Sequence, residues 1–335
     1  MLIKQRIQKN VRVGMALVVA IALLVIAQSP LASAQTANTL KVSPVRTDIE
    51  ILPGGSKTVQ ITVTNVTNES IIVRPSINDF VSGDESGTPA LILDETKYAA
   101  SHSLKRFITP LNNVTIPAGQ AKTINVLVTV PAEVKAGGYY GAVRFAPASP
   151  DEGGQVNLSA SVASLILLTV PGDTSERLDL TSFTVRQDGK SNTLFNTSKG
   201  LVATFRFENK GDSQMGPFGK ISVKQGDDVV YQTDFNNKNP RDLILPEGAR
   251  VWDVPLDKIG DFGHYSVVAT FTYGAKNQTV ETIASFWVIP TWLIIAGIVL
   301  VVVLLAVIVL IVFLIIRKSK KPKTSRSRGR GSYRR

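Results

Sequence analysis

Apolar and polar residues alternate along several short stretches of the chain, most clearly in "IPAGQAKTINVLVTVP", residues 116–131. One face of this stretch, drawn as an extended chain, is apolar and carries Ile124, Val126, Val128 and Val130. The stretch "KTVQITVTN" repeats the pattern with Val59, Ile61 and Val63. A period of two residues is typical of a strand with one buried face. We therefore predict a strand in each stretch.

A Pro-x-Gly sequence precedes a predicted strand three times, in "LPGGSK", "IPAGQAK" and "LPEGARV". Proline presets φ for the second position of a type I or II turn, and glycine suits the third or fourth position. We expect the chain to reverse at each of these corners and to enter the next strand.

Further strands are predicted in "GGYYGAVRF", "VASLILLTV" and "GHYSVVATFTYG". In the last of these, one face carries Tyr265, Val267, Ala269, Phe271 and Tyr273. The continuous apolar run "VASLILLTV" predicts a strand that is central or covered on both faces. "SVKQGDDVVYQ" predicts a hairpin with Gly226 and Asp227 in its turn. The best helical candidate before the final apolar run is a short turn in "DETKYAASHSLKRF".

Short strands separated by turn signals every 8 to 12 residues or so indicate β-sandwiches. Two sets of strands can be counted, which predicts an all-β fold of two tandem Ig-like β-sandwiches, at residues 35–171 and 172–288. Each set contains a strand that ends in asparagine, at Asn65 and Asn209, and later a Pro-x-Gly corner and a strand with a Gly-Tyr start. The two sandwiches then share a related plan, unless common turn chemistry has produced the likeness independently.

The two ends of the chain have the composition of targeting and anchoring segments. Residues 1–34 combine four basic residues, an apolar run and "LASA", which predicts a signal peptide cleaved between Ala34 and Gln35; an uncleaved N-terminal anchor is the alternative. Residues 289–316 predict a transmembrane helix, with Trp287 and Trp292 at its outer interface and Arg317 and Lys318 at its inner one. Residues 317–335 predict a basic, disordered cytoplasmic tail. The ectodomain is then extracellular on a single-pass cell-membrane protein.

The charge of the chain is concentrated at its ends. Of 37 Lys and Arg residues, ten lie in the tail and four in the leader, which leaves 23 against 26 acidic residues and a net charge of −3 between them. A slightly acidic ectodomain argues against nucleic-acid binding, despite a pI of about 9.8. The absence of cysteine favours a bacterial envelope over a eukaryotic receptor ectodomain.

Residues suited to catalysis or to metal binding are few. The chain has two histidines, His102 and His264, and each is expected to be solvated or hydrogen-bonded rather than catalytic. Acidic pairs, such as Asp84 with Glu85 and Asp227 with Asp228, are expected at solvated loop tips. We predict no enzyme activity, no metal site and no cofactor. Candidate ligand-binding residues lie on one strand: Tyr139, Tyr140 and Arg144. Of the two tyrosines, Tyr140 is expected in the core, in the same context as Tyr265.

The chain resembles a known family in the stretches "SPVRTDIEILPGGSKTVQITVTNVTNESIIVRPSINDF" and "SLKRFITPLNNVTIPAGQAKTINVLVTVPAEVKAGGYYGAVRF". They are similar to the peptidoglycan-binding domain of the WxL-interacting proteins of Gram-positive surfaces. The resemblance covers residues 40–146 by motif and the rest by architecture. It implies that the first Ig-like domain binds peptidoglycan and that the second binds protein partners.

We therefore expect a membrane-anchored bacterial cell-surface binding protein. It engages cell-wall peptidoglycan, another surface protein or both through its Ig-like domains, without catalysis, and contacts lipid through one span and the basic tail. The alternative is a chaperone-like assembly factor for exported surface proteins, because sandwiches expose sheet edges that can recruit strands.

Overall fold

The computed structural model describes residues 39–148 and 160–319, with side chains as far as residue 317. The predicted signal peptide, its cleavage point at Ala34 and Gln35, the side chain of Lys318 and the tail from residue 320 lie outside the described residues. The described residues form two all-β sandwiches followed by one long helix.

The first sandwich is built from strands of two facing sheets. One sheet has the order β1-β3-β7, and the other has the order β2-β9-β8-β4-β5 with β6 paired to β4. All pairs are antiparallel except β2 with β9. The strands are β1 (Leu40–Ser43), β2 (Arg46–Glu50), β3 (Ser56–Asn65), β4 (Ile71–Ser82), β5 (Pro89–Leu91), β6 (Val114–Ile116), β7 (Ala121–Thr129), β8 (Gly137–Pro147) and β9 (Val162–Val170).

The second sandwich pairs a sheet of order β11-β10-β13-β16 with a sheet of order β12-β18-β17-β14-β15. The predicted hairpin is confirmed, because β14 and β15 pair across a turn that contains Gly226 at φ 63°. The strands are β10 (Leu178–Gln187), β11 (Lys190–Ser191), β12 (Leu194–Phe195), β13 (Leu201–Asn209), β14 (Phe218–Gln225), β15 (Asp228–Phe235), β16 (Ala249–Pro255), β17 (Gly263–Tyr273) and β18 (Gln278–Val288).

The predicted alternation is confirmed in both sandwiches. Along β7, Ile124, Val126 and Val128 are buried, as is Val130 directly after the strand, whereas Asn125, Leu127 and Thr129 are exposed. The apolar face of β17 likewise lies in the core of the second sandwich. In "DETKYAASHSLKRF" the chain forms a single 3-10 turn, Lys105–Phe107, as expected.

The three Pro-x-Gly corners are turns, but their prolines do not all hold the same position. The backbone N–H that closes each turn donates to the carbonyl of Leu52, Pro117 or Leu245. Proline therefore takes the expected second position in the turns that begin at Leu52 and Leu245. In the remaining turn, Pro117 itself takes the first position. The third position has positive φ in every case: Gly54, Gly119 and Glu247. The motif thus predicted all three turns correctly and the position of one proline wrongly. The turns share a third residue in the left-handed conformation, and this requirement does not fix where the proline stands.

A buried asparagine locks each sandwich at its corner. The side-chain amide of Asn65 donates to the carbonyls of Glu69, Ile116 and Pro117, and its oxygen accepts from the backbone N–H of Thr67. Asn209 makes the matching bonds to the carbonyls of Ser213 and Ile244 and from the N–H of Gly211. Both side chains are 0% exposed. The related plan predicted from these two asparagines is therefore visible in their hydrogen bonds.

A third apolar cluster lies where the two sandwiches meet. It contains Phe80, Tyr140, Ala142 and Leu167 of the first sandwich, packed against partly buried residues that include Leu243 and Leu245 of the second. Strand β9 lies between β2 and β8, and its residues face both ways: Ile166 and Leu168 enter the core of the first sandwich, and Leu167 enters this junction. The continuous apolar run of β9 follows from burial on both faces.

The helix, α1 (Thr291–Ser319), begins directly after the second sandwich. Only Ile289 and Pro290 separate it from β18. The segment Thr291–Arg317 is long and apolar enough to cross a membrane, and nearly all of its side chains are exposed. The fold is thus two Ig-like sandwiches and one apolar helix that suits a bilayer.

Candidate functional site at the junction of the sandwiches

A cleft of about 970 Å³ opens between the two sandwiches. One wall is formed by β2 and the chain that follows β9. The opposite wall is formed by three loops of the second sandwich, which precede β14, follow β15 and join β17 to β18. Principal lining residues are Arg46, Asp48, Glu50, Gln214, Phe218, Asn237, Lys238, Arg241 and Lys276.

Gln214 is the central hydrogen-bonding residue of the junction. Its side-chain oxygen accepts from the Tyr140 hydroxyl at 2.9 Å, and its amide donates to the Thr169 hydroxyl at 2.9 Å. Nearby, the backbone N–H of Gly138 donates to the Asp212 carbonyl at 2.9 Å. Burial raises the pKa of the Tyr140 hydroxyl, which therefore stays protonated and remains a donor. These bonds hold the cleft walls together at its base.

The chain between β9 and β10 is also held to the second sandwich. The Glu176 carboxylate accepts from the backbone N–H groups of Ala275 and Lys276, and the N–H of Asp212 donates to the Ser175 carbonyl. The segment "PGDTSER" is therefore an ordered wall of the cleft, because its polar groups have partners in the second sandwich.

A loop of the first sandwich, residues 83–88, docks on the outer edge of β16. The backbone N–H of Val251 donates to the Glu85 carbonyl at 2.7 Å, and the Glu85 carboxylate accepts from Arg206 at 2.8 Å. Gly87 lies against Arg250, since a Cβ at Gly87 would be 2.5 Å from the Arg250 Cζ. The pair Asp84 and Glu85 was expected at a solvated tip. Both residues are exposed in this loop, as expected, and Glu85 in addition pairs through its backbone carbonyl with the edge strand β16.

The cleft carries charges of both signs and one aromatic ring. Arg46 donates from Nε and Nη2 to the two carboxylate oxygens of Asp48, and from Nη1 to the Arg241 carbonyl. The Arg241 guanidinium lies 3.7 Å from the centre of the Phe218 ring. Glu50 and Lys276 are exposed, and neither has a side-chain hydrogen bond or ion pair among the described residues. Such a surface suits a polar ligand that carries both carboxylates and amines.

The comparison with protein families concerns the first sandwich. Residues 47–147 match the family model described as "WxL Interacting Protein, peptidoglycan binding domain". Over these residues the first sandwich is similar to that family. The match spans less than a third of the chain, and the resemblance stated from the sequence is confirmed over this range. No curated protein matches the chain.

Solved structures with a similar arrangement of strands include bacterial chaperones. The class 5 fimbriae chaperone CfaA is 14% identical with a TM-score of 0.37, over 74% of this chain and 98% of that one. The E. coli chaperone DraB is 14% identical with a TM-score of 0.32, over 73% of this chain and 96% of that one. Likenesses this distant carry no argument about what the chain binds.

Within the first sandwich, Tyr139 and Tyr140 face opposite ways. Tyr139 packs on Phe107 in the core at a ring distance of 5.0 Å, and its hydroxyl donates to the Lys135 carbonyl four residues earlier. Tyr265 makes the equivalent bonds to the carbonyls of Gly260 and Phe262. The match of Tyr140 with Tyr265 was wrong by one residue: both corner tyrosines stand two residues after a glycine of positive φ, Gly137 or Gly263.

The structure does not bring the predicted binding residues to one open surface. Tyr140 is 2% exposed at the junction. Arg144, on the same sheet, donates to the Asn78 side chain at 3.3 Å and lies 3.6 Å from Glu95, with 25% of its side chain exposed. Ligand binding by Tyr139, Tyr140 and Arg144 stays a prediction.

Both histidines have local partners. The Nδ1 atom of His102 lies 2.7 Å from the Gly138 carbonyl oxygen, and the His264 ring lies 4.8 Å from the Trp287 ring. Within residues 39–148 and 160–319 there is no cluster of three His, Cys, Asp or Glu residues that suits a metal ion.

Sequence reasoning missed Asp79, a fully buried carboxylate beside the junction. It accepts from the backbone N–H groups of Ala99 and Lys105 and from the Ser103 hydroxyl, at 2.6–2.9 Å. These bonds fold the loop that follows β5 onto β4, next to Tyr140. The only sequence signal is an acidic residue inside the strand "SINDFVS".

Proposed function

We propose that this protein is a non-catalytic binding protein of a bacterial envelope, which binds cell-wall peptidoglycan through its first sandwich at the junction with the second and is anchored by α1. The observation that carries the proposal is the match of residues 47–147 to a peptidoglycan-binding domain. The apolar helix supports membrane anchoring. The basic residues that follow it favour a cytoplasmic C-terminus and an extracellular ectodomain.

The junction cleft is the proposed binding surface. Ligand sites occur preferentially at domain interfaces, in concave surfaces with a few fixed polar groups. Peptidoglycan presents hydroxyl groups, carboxylates and amines, and the cleft offers Glu50, Lys276 and two asparagines, Asn237 and Asn239, to such groups. Because the base of the cleft is hydrogen-bonded across both sandwiches, little ordering is required when a ligand binds.

The position of the cleft favours contact with the wall. The turn at its rim precedes β18, and the opposite end of β18 leads into α1. The 11 residues of β18 span ten steps of roughly 3.3 Å, which separates these ends by about 33 Å. The cleft then stands well above the lipid headgroups.

Co-sedimentation of the full chain, in detergent, with purified insoluble peptidoglycan tests the proposal. We expect the wild type to sediment, and the double variant Glu50→Lys, Lys276→Glu to stay largely in solution. A matched variant at the other end of the second sandwich, Lys190→Glu with Asp257→Lys, is expected to sediment like the wild type. Failure of the wild type to sediment would contradict peptidoglycan binding, and equal sedimentation of both variants would contradict the cleft. The chaperone-like alternative, in which the ectodomain suppresses aggregation of an unfolded β protein, stays a prediction.

A further inference from the structure

The end of the second sandwich opposite the cleft is tied closely to the start of α1. Strand pairing continues past β18, because the backbone N–H of Trp287 donates to the Thr193 carbonyl and that of Ile289 to the Phe195 carbonyl, both at 2.8 Å. Pro290 follows, and the helix begins at Thr291. With no free linker between them, a membrane that holds α1 must lie against this end of the sandwich.

This end exposes large apolar side chains, which we call the basal face. Their exposed fractions are 51% for Leu194, 58% for Phe262, 48% for Trp287 and 67% for Trp292. Leu194 pairs with Trp287 in the sheet, and Phe262 precedes Gly263, which pairs with Val288. The basal face therefore surrounds the point at which the chain leaves the sandwich.

The loop that carries Phe262 is held in place by hydrogen bonds. The Tyr265 hydroxyl and the Gln225 side-chain amide both lie within 3.4 Å of the Phe262 carbonyl oxygen. The preceding carboxylate, Asp261, accepts from the N–H and the hydroxyl of Ser198. A fixed backbone that presents an exposed phenyl ring costs little conformational entropy when the ring is buried by a partner.

The charges at this end are nearly balanced, which argues for an apolar contact and against attraction to anionic lipid. The turns around the basal face carry Asp188, Lys190, Lys199, Lys224, Asp227, Asp228, Asp257, Lys258 and Asp261. Aromatic side chains favour the headgroup region of a bilayer.

We propose that the basal face docks on the outer leaflet of the membrane that α1 crosses, with Phe262 and Leu194 inserted at headgroup depth beside Trp287 and Trp292. The contact fixes the second sandwich on the bilayer and directs the cleft away from it. The inference rests on α1 crossing the membrane and is independent of peptidoglycan binding.

The absence of cysteine from the sequence permits a direct test on the full chain in phosphatidylcholine nanodiscs. A single cysteine replaces Leu194, Trp292 or Lys276 and carries an environment-sensitive fluorophore. We expect phosphatidylcholine with a spin label near the headgroup to quench the Leu194→Cys probe about as strongly as the Trp292→Cys probe. The Lys276→Cys probe, at the cleft, is expected to keep its fluorescence. Replacing part of the lipid with phosphatidylglycerol should leave this pattern unchanged.

A second substitution separates docking from mere proximity to the helix. In the Leu194→Cys background, Phe262→Asp is expected to reduce quenching and Phe262→Tyr to preserve it. Three results would overturn the proposal: no quenching at Leu194→Cys, quenching unaffected by Phe262→Asp, or a blue-shifted probe without lipid quenching. The last would indicate a protein partner, such as a second copy of the chain, on this surface.

Discussion

The two corners held by Asn65 and Asn209 share three matching hydrogen bonds and have different surroundings. At the corner of the first sandwich, Asn65 lies beneath Val66 and Asn68, which are exposed. At the corner of the second, the residues that follow Asn209 contact the first sandwich, through the Asp212 carbonyl and the Gln214 side chain. The same type of corner is thus exposed to solvent in the first sandwich and docked on the other domain in the second.

The difference shows that the asparagine hydrogen bonds, which we call the lock, do not by themselves create a docking surface. The lock depends on a side chain that satisfies buried backbone carbonyls, which any such corner requires. Docking depends on other residues, above all Leu243, Leu245 and Gln214. At the first corner, no described residue makes a comparable contact with another domain.

Loss of either lock is expected to have the largest effect. Asn65→Ala and Asn209→Ala each remove a buried side chain that makes at least three hydrogen bonds to the backbone, at a cost on the order of 3 kcal/mol of unfolding free energy. Every tryptophan lies between residues 252 and 292, so tryptophan fluorescence reports on the second sandwich, whereas circular dichroism reports on both. In denaturant titrations, Asn209→Ala should shift both signals, and Asn65→Ala should shift circular dichroism more than fluorescence.

Asn68→Ala is the matched control, because Asn68 is exposed three residues after Asn65. It should leave both transitions within about 0.5 kcal/mol of the wild type. A wild-type transition in Asn65→Ala would refute the lock.

Truncation of an apolar side chain at the junction should have the second-largest effect on stability. Leu245→Ala removes a partly buried side chain that packs on Phe80 and Tyr140, and should cost about 2 kcal/mol. Val66→Ala, at the exposed first corner, should cost less than about 0.5 kcal/mol. Thermal unfolding of the two variants measures the difference; equal effects would mean that the corners have equivalent surroundings.

Removal of a single tyrosine hydroxyl should have a smaller effect. Tyr140→Phe leaves the Gln214 oxygen without its donor and should cost about 1 kcal/mol. Because this bond joins the sandwiches, amide hydrogen exchange should increase on both sides of the junction. In Tyr139→Phe, which loses a bond within the first sandwich, the increase should be confined to that sandwich. The opposite distribution would reverse the roles assigned to these tyrosines.

The smallest expected effect is that of acid on the docked loop. The Ser86 side chain, by hydrogen bonding, lowers the pKa of Asp84 below its ordinary value of 3.8. A carboxyl group with a lowered folded-state pKa stabilises the fold above its unfolded pKa, and this contribution is lost as pH falls through the folded value. Proteolysis within residues 83–88 should therefore increase below pH 3.8 or so in the wild type. In Asp84→Asn the pH dependence of cleavage should be weaker; an unchanged profile would exclude Asp84 as its source.

The sequence predicted the strands well because period-two alternation records one buried face. It also predicted the three turns, since turn chemistry acts within four residues, and it marked the two strand-end asparagines without predicting their long-range bonds. It did not predict which way Tyr139 and Tyr140 point, because both faces of β8 are buried and alternation has no contrast there. The cleft escaped prediction for another reason: it brings together residues as distant in sequence as Glu50 and Lys276, each an ordinary surface charge when considered alone.

Hydrogen–deuterium exchange of the full chain with a soluble peptidoglycan fragment tests the central claim most directly. We predict that the fragment protects residues 46–50 and 169–176 of one wall of the cleft together with 237–241 and 274–276 of the other. Protection elsewhere on the first sandwich alone, or no protection at a fragment concentration that competes with insoluble peptidoglycan, would contradict a binding site at the junction.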